Sequence, residues 1–197
     1  MFTKTQIAIL KVFTASIEKR FSIKEVAEHL KSPYPLIHRS IQALLTENFL
    51  VKDDKELISL NYRQNQGALA YVEFLRTKEA LRKDKTLMLF MQDVLERVKL
   101  DYFIFLIFGS FVEKKSYGDI DILFIIEDEA KVHESEKTLQ NIAENFSKNF
   151  EIQVISTSSA HEMLSKREKM NIMNETLNKH ILLFGAEYYY RMVKNAR

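Results

Sequence analysis

Cysteine and tryptophan are absent from the 197 residues, proline occurs twice and glycine four times. Without cysteine there is no disulfide, no thiolate nucleophile and no Cys-ligated zinc or iron–sulfur site, so a metal could be held only by oxygen or imidazole. The aromatic load falls on 14 Phe and 8 Tyr. Long uncharged runs are missing too. The most apolar stretch, Tyr102 to Phe108, falls far short of the ~20 residues that cross a membrane, and the start, MFTKTQIAIL, has no signal-peptide core. A soluble cytoplasmic protein with no membrane partner is the expectation. Nor does one sign of charge dominate: 29 Lys and Arg against 27 Asp and Glu leave +2, which argues against a polybasic, histone-like mode.

What is present is an ordinary globular composition, 46% apolar and 28% charged. Domains commonly run to ~100–150 residues, so the length suggests two compact units. Charge is spread unevenly: residues 1–62 carry +2, residues 63–100 +3 and residues 101–197 −3. The acidic excess sits in the C-terminal half.

Three stretches differ in pattern. In residues 1–62, Ile7, Leu10, Phe13 and Ile17 recur at helical spacing, predicting an amphipathic helix over roughly 3–18. Ser22 and Glu25 form a capping box at the head of a second helix whose stripe is Val26, Ala27 and Leu30. Ser32-Pro33 predicts the start of a third, with Ser32 as cap and Ile37, Ile41, Leu44 and Leu45 facing inward. Phe49–Val51 and Leu57–Asn61 flank a charged turn and read as a hairpin. Helix, helix, helix, hairpin is the order of a winged helix-turn-helix. Residues 63–100 read as a helical connector broken near Asp84, with apolar clusters at Leu69, Val72, Phe74 and Leu75 and at Leu87, Leu89, Met91, Val94 and Val98.

From Asp101 to Arg197 short apolar runs alternate with helical stretches. Tyr102–Phe108, Ile120–Ile126 and Phe150–Ile155 read as strands, with a helix over 129–148, one or two helices over 159–179, a short run Ile181–Phe184 and a last helix after Gly185. The fold class expected is α+β: a winged helix, a helical connector and a mixed sheet with helices.

The chemistry concentrates at Gly109-Ser110 and Asp119-Ile120-Asp121. A buried strand ending in Gly-Ser exposes backbone amides and a hydroxyl at the following turn, a place where an anion is held. Period-2 alternation puts Asp119 and Asp121 on one face of the next strand, where two carboxylates ~6–7 Å apart repel unless a partner intervenes. A divalent ion relieves that repulsion, and Mg²⁺ prefers one or two carboxylates with phosphate oxygens.

This constellation resembles the minimal nucleotidyltransferases of the DNA polymerase beta superfamily, whose signature is Gly-Ser, a short spacer, then Asp-x-Asp. The resemblance covers roughly 101–157, and Leu183–Tyr188 looks like the tail of archaeal and bacterial relatives. It implies a nucleotidyltransferase-like domain in which Gly109 and Ser110 hold ATP or another nucleoside triphosphate and Asp119 and Asp121 bind two Mg²⁺ ions. Glu151 then stands at the third acidic position, completing the metal site and helping to activate the attacking hydroxyl. Gln153 shares its face, and neither is the usual Asp. Lys114 and Lys115 in the spacer could reach triphosphate oxygens or simply be solvated.

The acceptor is open: antibiotic, nucleic acid 3′-end and protein hydroxyl are all used in the family, and relatives that modify a partner toxin make a protein acceptor an expectation. On the third helix Tyr34, His38, Arg39 and Gln42 lie off the apolar face, as a recognition helix presents polar groups to duplex DNA. The wing turn offers two Lys against three acids, so a homodimer would be needed to double the phosphate contacts, and the module could instead contact protein. The alternative is a DNA-binding transcriptional regulator whose transferase domain is a degenerate nucleotide sensor. The five histidines show no metal spacing, and each is expected to be solvated or satisfied.

Overall fold

Thr3 opens α1 (Lys4–Thr14) and Ser22 opens α2 (Ile23–His29), each through a reciprocal capping box with the residue three positions on. The structure, a computed structural model, describes residues 1–113, 118–166 and 168–196. α1 ends short of the predicted residue 18, because the Ile17 amide leaves the helical ladder for the Leu177 carbonyl at 2.8 Å. The predicted cap of α3 (Tyr34–Thr46) also moves. Pro33 takes the cap position in extended backbone, Pro35 sits in the first turn where a missing N–H costs nothing, and Ser32 donates its hydroxyl to the Leu30 carbonyl instead. A two-stranded antiparallel hairpin, β1 (Leu50–Lys52) and β2 (Ile58–Leu60), follows, and Phe21 bridges to Ile58.

The connector is two helices, α4 (Gln66–Lys83) and α5 (Lys85–Arg97), hinged at Asp84, which caps α5 through the Leu87 amide at 3.0 Å. Its buried stripe corrects the expectation. Phe74 and Leu89 are exposed, whereas Leu69, Val72, Glu73, Arg76, Thr77 and Ala80 line one face of α4. Positions two apart on a helix point ~200° apart, so Phe74 cannot join Val72, while the i, i+3, i+4, i+7 progression carries Glu73 and Arg76 inward.

The remainder is a four-stranded mixed sheet in the order β5-β4-β3-β6, where β3 is Phe103–Phe108, β4 Asp119–Ile126, β5 Asn149–Ser156 and β6 His180–Phe184. β3 runs antiparallel to β4 and β6, and β4 parallel to β5. One turn of helix, α6 (Ser110–Glu113), follows β3. The helix expected over 129–148 is a 3-10 turn at Glu129–Lys131 and then α7 (Val132–Ala143). Two short helices, α8 (Thr157–Ser165) and α9 (Ile172–Thr176), fill the stretch read as one or two helices over 159–179, and α10 (Ala186–Ala196) follows β6.

Alternation sorts the strands between two cores. Ile120, Ile122, Phe124 and Ile126 pack with Phe105 and Ile107 against Leu87, Phe90 and Val94 of α5 and Leu139 and Ile142 of α7. On the opposite face Ile104, Leu106, Leu123 and Leu182 belong to a core that continues without a break through Leu69 and Val72 of α4 to Leu10, Phe13, Ile37 and Ile41 of the N-terminal helices.

Inside that larger core lies a polar cluster. Glu73, wholly buried, accepts hydrogen bonds from Arg76 at 2.6 Å and from the Tyr190 hydroxyl at 2.8 Å, and His180 Nε2 stands 3.5 Å from its Oε1. Arg76 also donates to the His180 carbonyl, and Thr77 Oγ1 to the Leu182 carbonyl at 2.5 Å. Burial alone would raise the Glu73 carboxyl, but the Arg76 guanidinium, His180 and the Tyr190 hydroxyl outweigh it and hold the group below its ordinary value. Burial, with the Glu73 charge beside it, pushes the Tyr190 hydroxyl well above its ordinary value.

A carboxyl depressed in the fold contributes stability above the unfolded value of ~4.3, and that contribution is lost as pH falls through the folded value. A phenol raised in the fold contributes below its unfolded value of ~10 and is lost as pH rises beyond it. Urea midpoints should therefore be flat between these limits and fall at both ends. Glu73→Gln should make the acid arm shallower and Tyr190→Phe the alkaline one, to which the buried Tyr189 also contributes; unchanged arms would refute the role of the cluster. Glu73→Ala, which strands a buried guanidinium, should cost about 3–5 kcal/mol.

Candidate functional site

The turn after β3 and the first half of β4 come together because antiparallel pairing sets Phe108 opposite Asp121. Gly109 then leaves the strand with φ +66°, in the left-handed region that favours glycine. Its Cα faces the Asp121 carboxylate so closely that a Cβ would lie 2.2 Å from Oδ2. The glycine is thus required twice, by its backbone and by the side chain packed on it. Ser110 begins α6 immediately afterwards.

Asp119 and Asp121 share a face of β4, as the alternation predicts, and both are half-buried. Parallel pairing puts Asn149 beside Asp119 and Glu151 beside Asp121. Asn149 donates its amide to Asp119 Oδ1 at 2.9 Å, which orients that carboxylate. Asn149 was not singled out in the sequence; its signal is that it opens the strand paired with β4, two residues before Glu151. Glu151 and Gln153 are exposed on the same face. A transverse row of Glu151, Asp121, Phe108 and His180 crosses all four strands. Among the described residues, no three carboxylate or imidazole groups converge tightly enough to form a metal cluster. The expected trio Asp119, Asp121 and Glu151 is therefore a pair of carboxylates with a third on the neighbouring strand. Two carboxylates and an open glycine turn still suit Mg²⁺, which fills its coordination with phosphate oxygens and water. Lys114 lies outside the described residues.

The second group of residues is on α3. Ile37, Ile41 and Leu44 are buried, and Tyr34, His38, Arg39 and Gln42 are exposed together on the other side. The Tyr34 and His38 rings lie 5.9 Å apart. Arg39 makes no ion pair among the described residues. The wing is different: Lys52 pairs with Glu56 at 2.6 Å, and Asp53 holds Arg20 at 2.8 Å. Hydrogen bonds from the Leu57 and Lys55 amides, with Arg20, hold the Asp53 carboxyl below its ordinary value, so the turn keeps its negative charge.

Gly109→Ala should cost about 1–2 kcal/mol from the left-handed backbone alone and should push the Asp121 carboxylate off its seat. Its NMR spectrum should keep the fold while the Asp121 and Ile122 amides shift; an undisturbed Asp121 would contradict the packing described.

No protein-family model matches the chain, and no curated protein matches it. A solved structure, an IclR homolog from Microbacterium sp. strain HM58-2, is similar at 15% identity with a TM-score of 0.31, over 62% of this chain and 45% of that one. The chain thus spans under half the length of that protein, and a likeness at this level carries no argument about fold or function.

Proposed function

We propose that this chain is a Mg²⁺-dependent nucleotidyltransferase, moving a nucleoside monophosphate from ATP or another nucleoside triphosphate to a hydroxyl acceptor, with an N-terminal winged helix that docks it on duplex DNA. The observation that carries the reading is the seat of the Asp121 carboxylate on the Gly109 turn, with Asp119 two residues away on the same strand face. Asp119 and Asp121 would hold the metal, which supplies neutralising charge to the phosphate oxygens. The chain's own part is positioning. Ser110 Oγ and the amides of the turn would hold phosphate oxygens, and Asn149, which donates to Asp119, fixes the orientation of that carboxylate. Glu151, next to Asp121 in register, is the group available to take the proton as the acceptor oxygen bonds to the α-phosphorus and pyrophosphate leaves.

A second reading is supported by the exposed polar face of α3: a DNA-binding regulator whose transferase-like domain senses nucleotide without turning it over. The two readings part at catalysis. Asp119→Asn and Asp121→Asn should each abolish Mg²⁺-dependent ATP binding by calorimetry while the urea midpoint is kept. Unchanged affinity in both would remove the site. Transfer of labelled nucleotide to the protein itself, to a nucleic acid or to a partner supports the enzyme; nucleotide binding without transfer supports the sensor.

DNA contact has its own test. Arg39→Ala should weaken duplex binding in anisotropy titrations by about 1–3 kcal/mol if it reaches a base edge, and Lys52→Ala far less, because that lysine is already paired with Glu56. The salt slope should be shallow for so few free cations. No binding at low salt, or an indifferent Arg39→Ala, assigns the unit to protein contact.

A further inference from the structure

At the end of the sheet away from Asp119, a cleft of about 440 Å³ opens between α8 and α10. Six residue steps of β4 at ~3.3 Å each separate Asp119 from Ile125 in its wall, so the cleft lies roughly 20 Å from the carboxylate pair. Its floor is apolar, made by the buried Ile104, Ile125 and Met192. The rim is not. Tyr102 and Tyr188 meet edge to face across it with ring centroids 5.4 Å apart, yet remain 55% and 40% exposed. The Arg191 guanidinium lies 5.9 Å from the Tyr188 ring centroid, and His161 of α8 lines the same cleft. Glu127, just beyond β4, also belongs to the lining.

Two facts make this more than a surface dent. Among the described residues, the side chains of Arg191, His161 and Glu127 make no ion pair or hydrogen bond, although all three border one cleft. An arginine stacked on a tyrosine is pre-ordered, so it loses little freedom when it meets an anion. Two half-exposed phenol rings over an apolar floor leave aromatic surface for a flat ligand, and the volume falls within the ~300–1,000 Å³ of small-molecule sites.

We propose that this cleft binds a small aromatic anion: a flat ring against Tyr102 and Tyr188, its negative group on Arg191 and His161, and a ring-borne donor on Glu127. An arylamine carboxylate and a nucleoside monophosphate with an exocyclic amine share this chemistry. The site is independent of the carboxylate pair and needs no divalent ion.

The test is amide NMR of the full chain in EDTA, titrated separately with 4-aminobenzoate, AMP and inorganic phosphate. Saturable shifts should gather at residues 102–104, 127, 157–161 and 188–195, with one of the two aromatic probes binding much more tightly than phosphate. Which probe binds identifies the source of the ligand. Arg191→Ala should raise Kd about tenfold, equal to ~1.4 kcal/mol, and Tyr188→Leu should weaken the aromatic probe much more than it weakens phosphate. Shifts centred on Gly109 and Asp121, phosphate binding as well as either ring, or no saturable shift at millimolar concentrations would each overturn the proposal.

Discussion

A carboxylate without water must be neutralised where it stands, and Glu73 is such a group at the centre of this molecule. Each of its oxygens is engaged, Oε2 by Arg76 and Oε1 by Tyr190 with His180 nearby. Replacing a buried ion pair by apolar side chains is often neutral or favourable, so the cluster is better understood as a specifier of geometry than as a source of net stability. Only one placement of α4 against β6 and α10 lets all the partners meet. An apolar helix face would slide; this one has a register.

That register protects an edge and connects two ends of the chain. β6 is an outer strand, and its outward carbonyls at His180 and Leu182 are taken by Arg76 and Thr77 rather than left to pair with another sheet. The same helix carries Leu69 and Val72 into the core shared with α1 and α3, while the Ile17 amide and the Ser16 hydroxyl bond to the Leu177 and Asn178 carbonyls. The N-terminal unit is therefore seated on α4 and on the turn after α9 rather than hung from a linker. Because His180 pairs with Phe108, and Phe108 precedes the Gly109 turn, the strand that α4 fixes is the one next to the candidate site.

Local patterns carried most of the fold. The Ser22 capping box, the Asp84 break and the doubly buried strands are short-range signals, and Asp119 and Asp121 fall on one face because a strand has a period of two. What sequence alone could not disclose depends on distant partners. Glu73 and Arg76 look like solvated charges three apart on a helix until Tyr190, 117 positions later, supplies a donor. Asn149 acquires meaning only through parallel register with Asp119. Phe74 and Leu89 are apolar by composition and exposed by helical phase.

Charge placement decides how the N-terminal unit would meet a polyanion. Its nominal excess is small, and several of its cations are already engaged, for Arg20 and Lys52 are held by acids of the wing and Lys11 by Glu79 of α4. Arg39 on α3, and Lys31 just before it, are exposed and make no ion pair among the described residues. On α3 and its entry the free positive charge is thus limited to these two residues, while the wing presents Asp53 as a carboxylate. A duplex approached by this surface would be gripped through the helix and repelled by the hairpin, which tilts the favourable contact toward base edges and away from phosphate. Affinity built that way is weak per copy and gains most from a second α3 presented one helical turn along the groove, at ~34 Å.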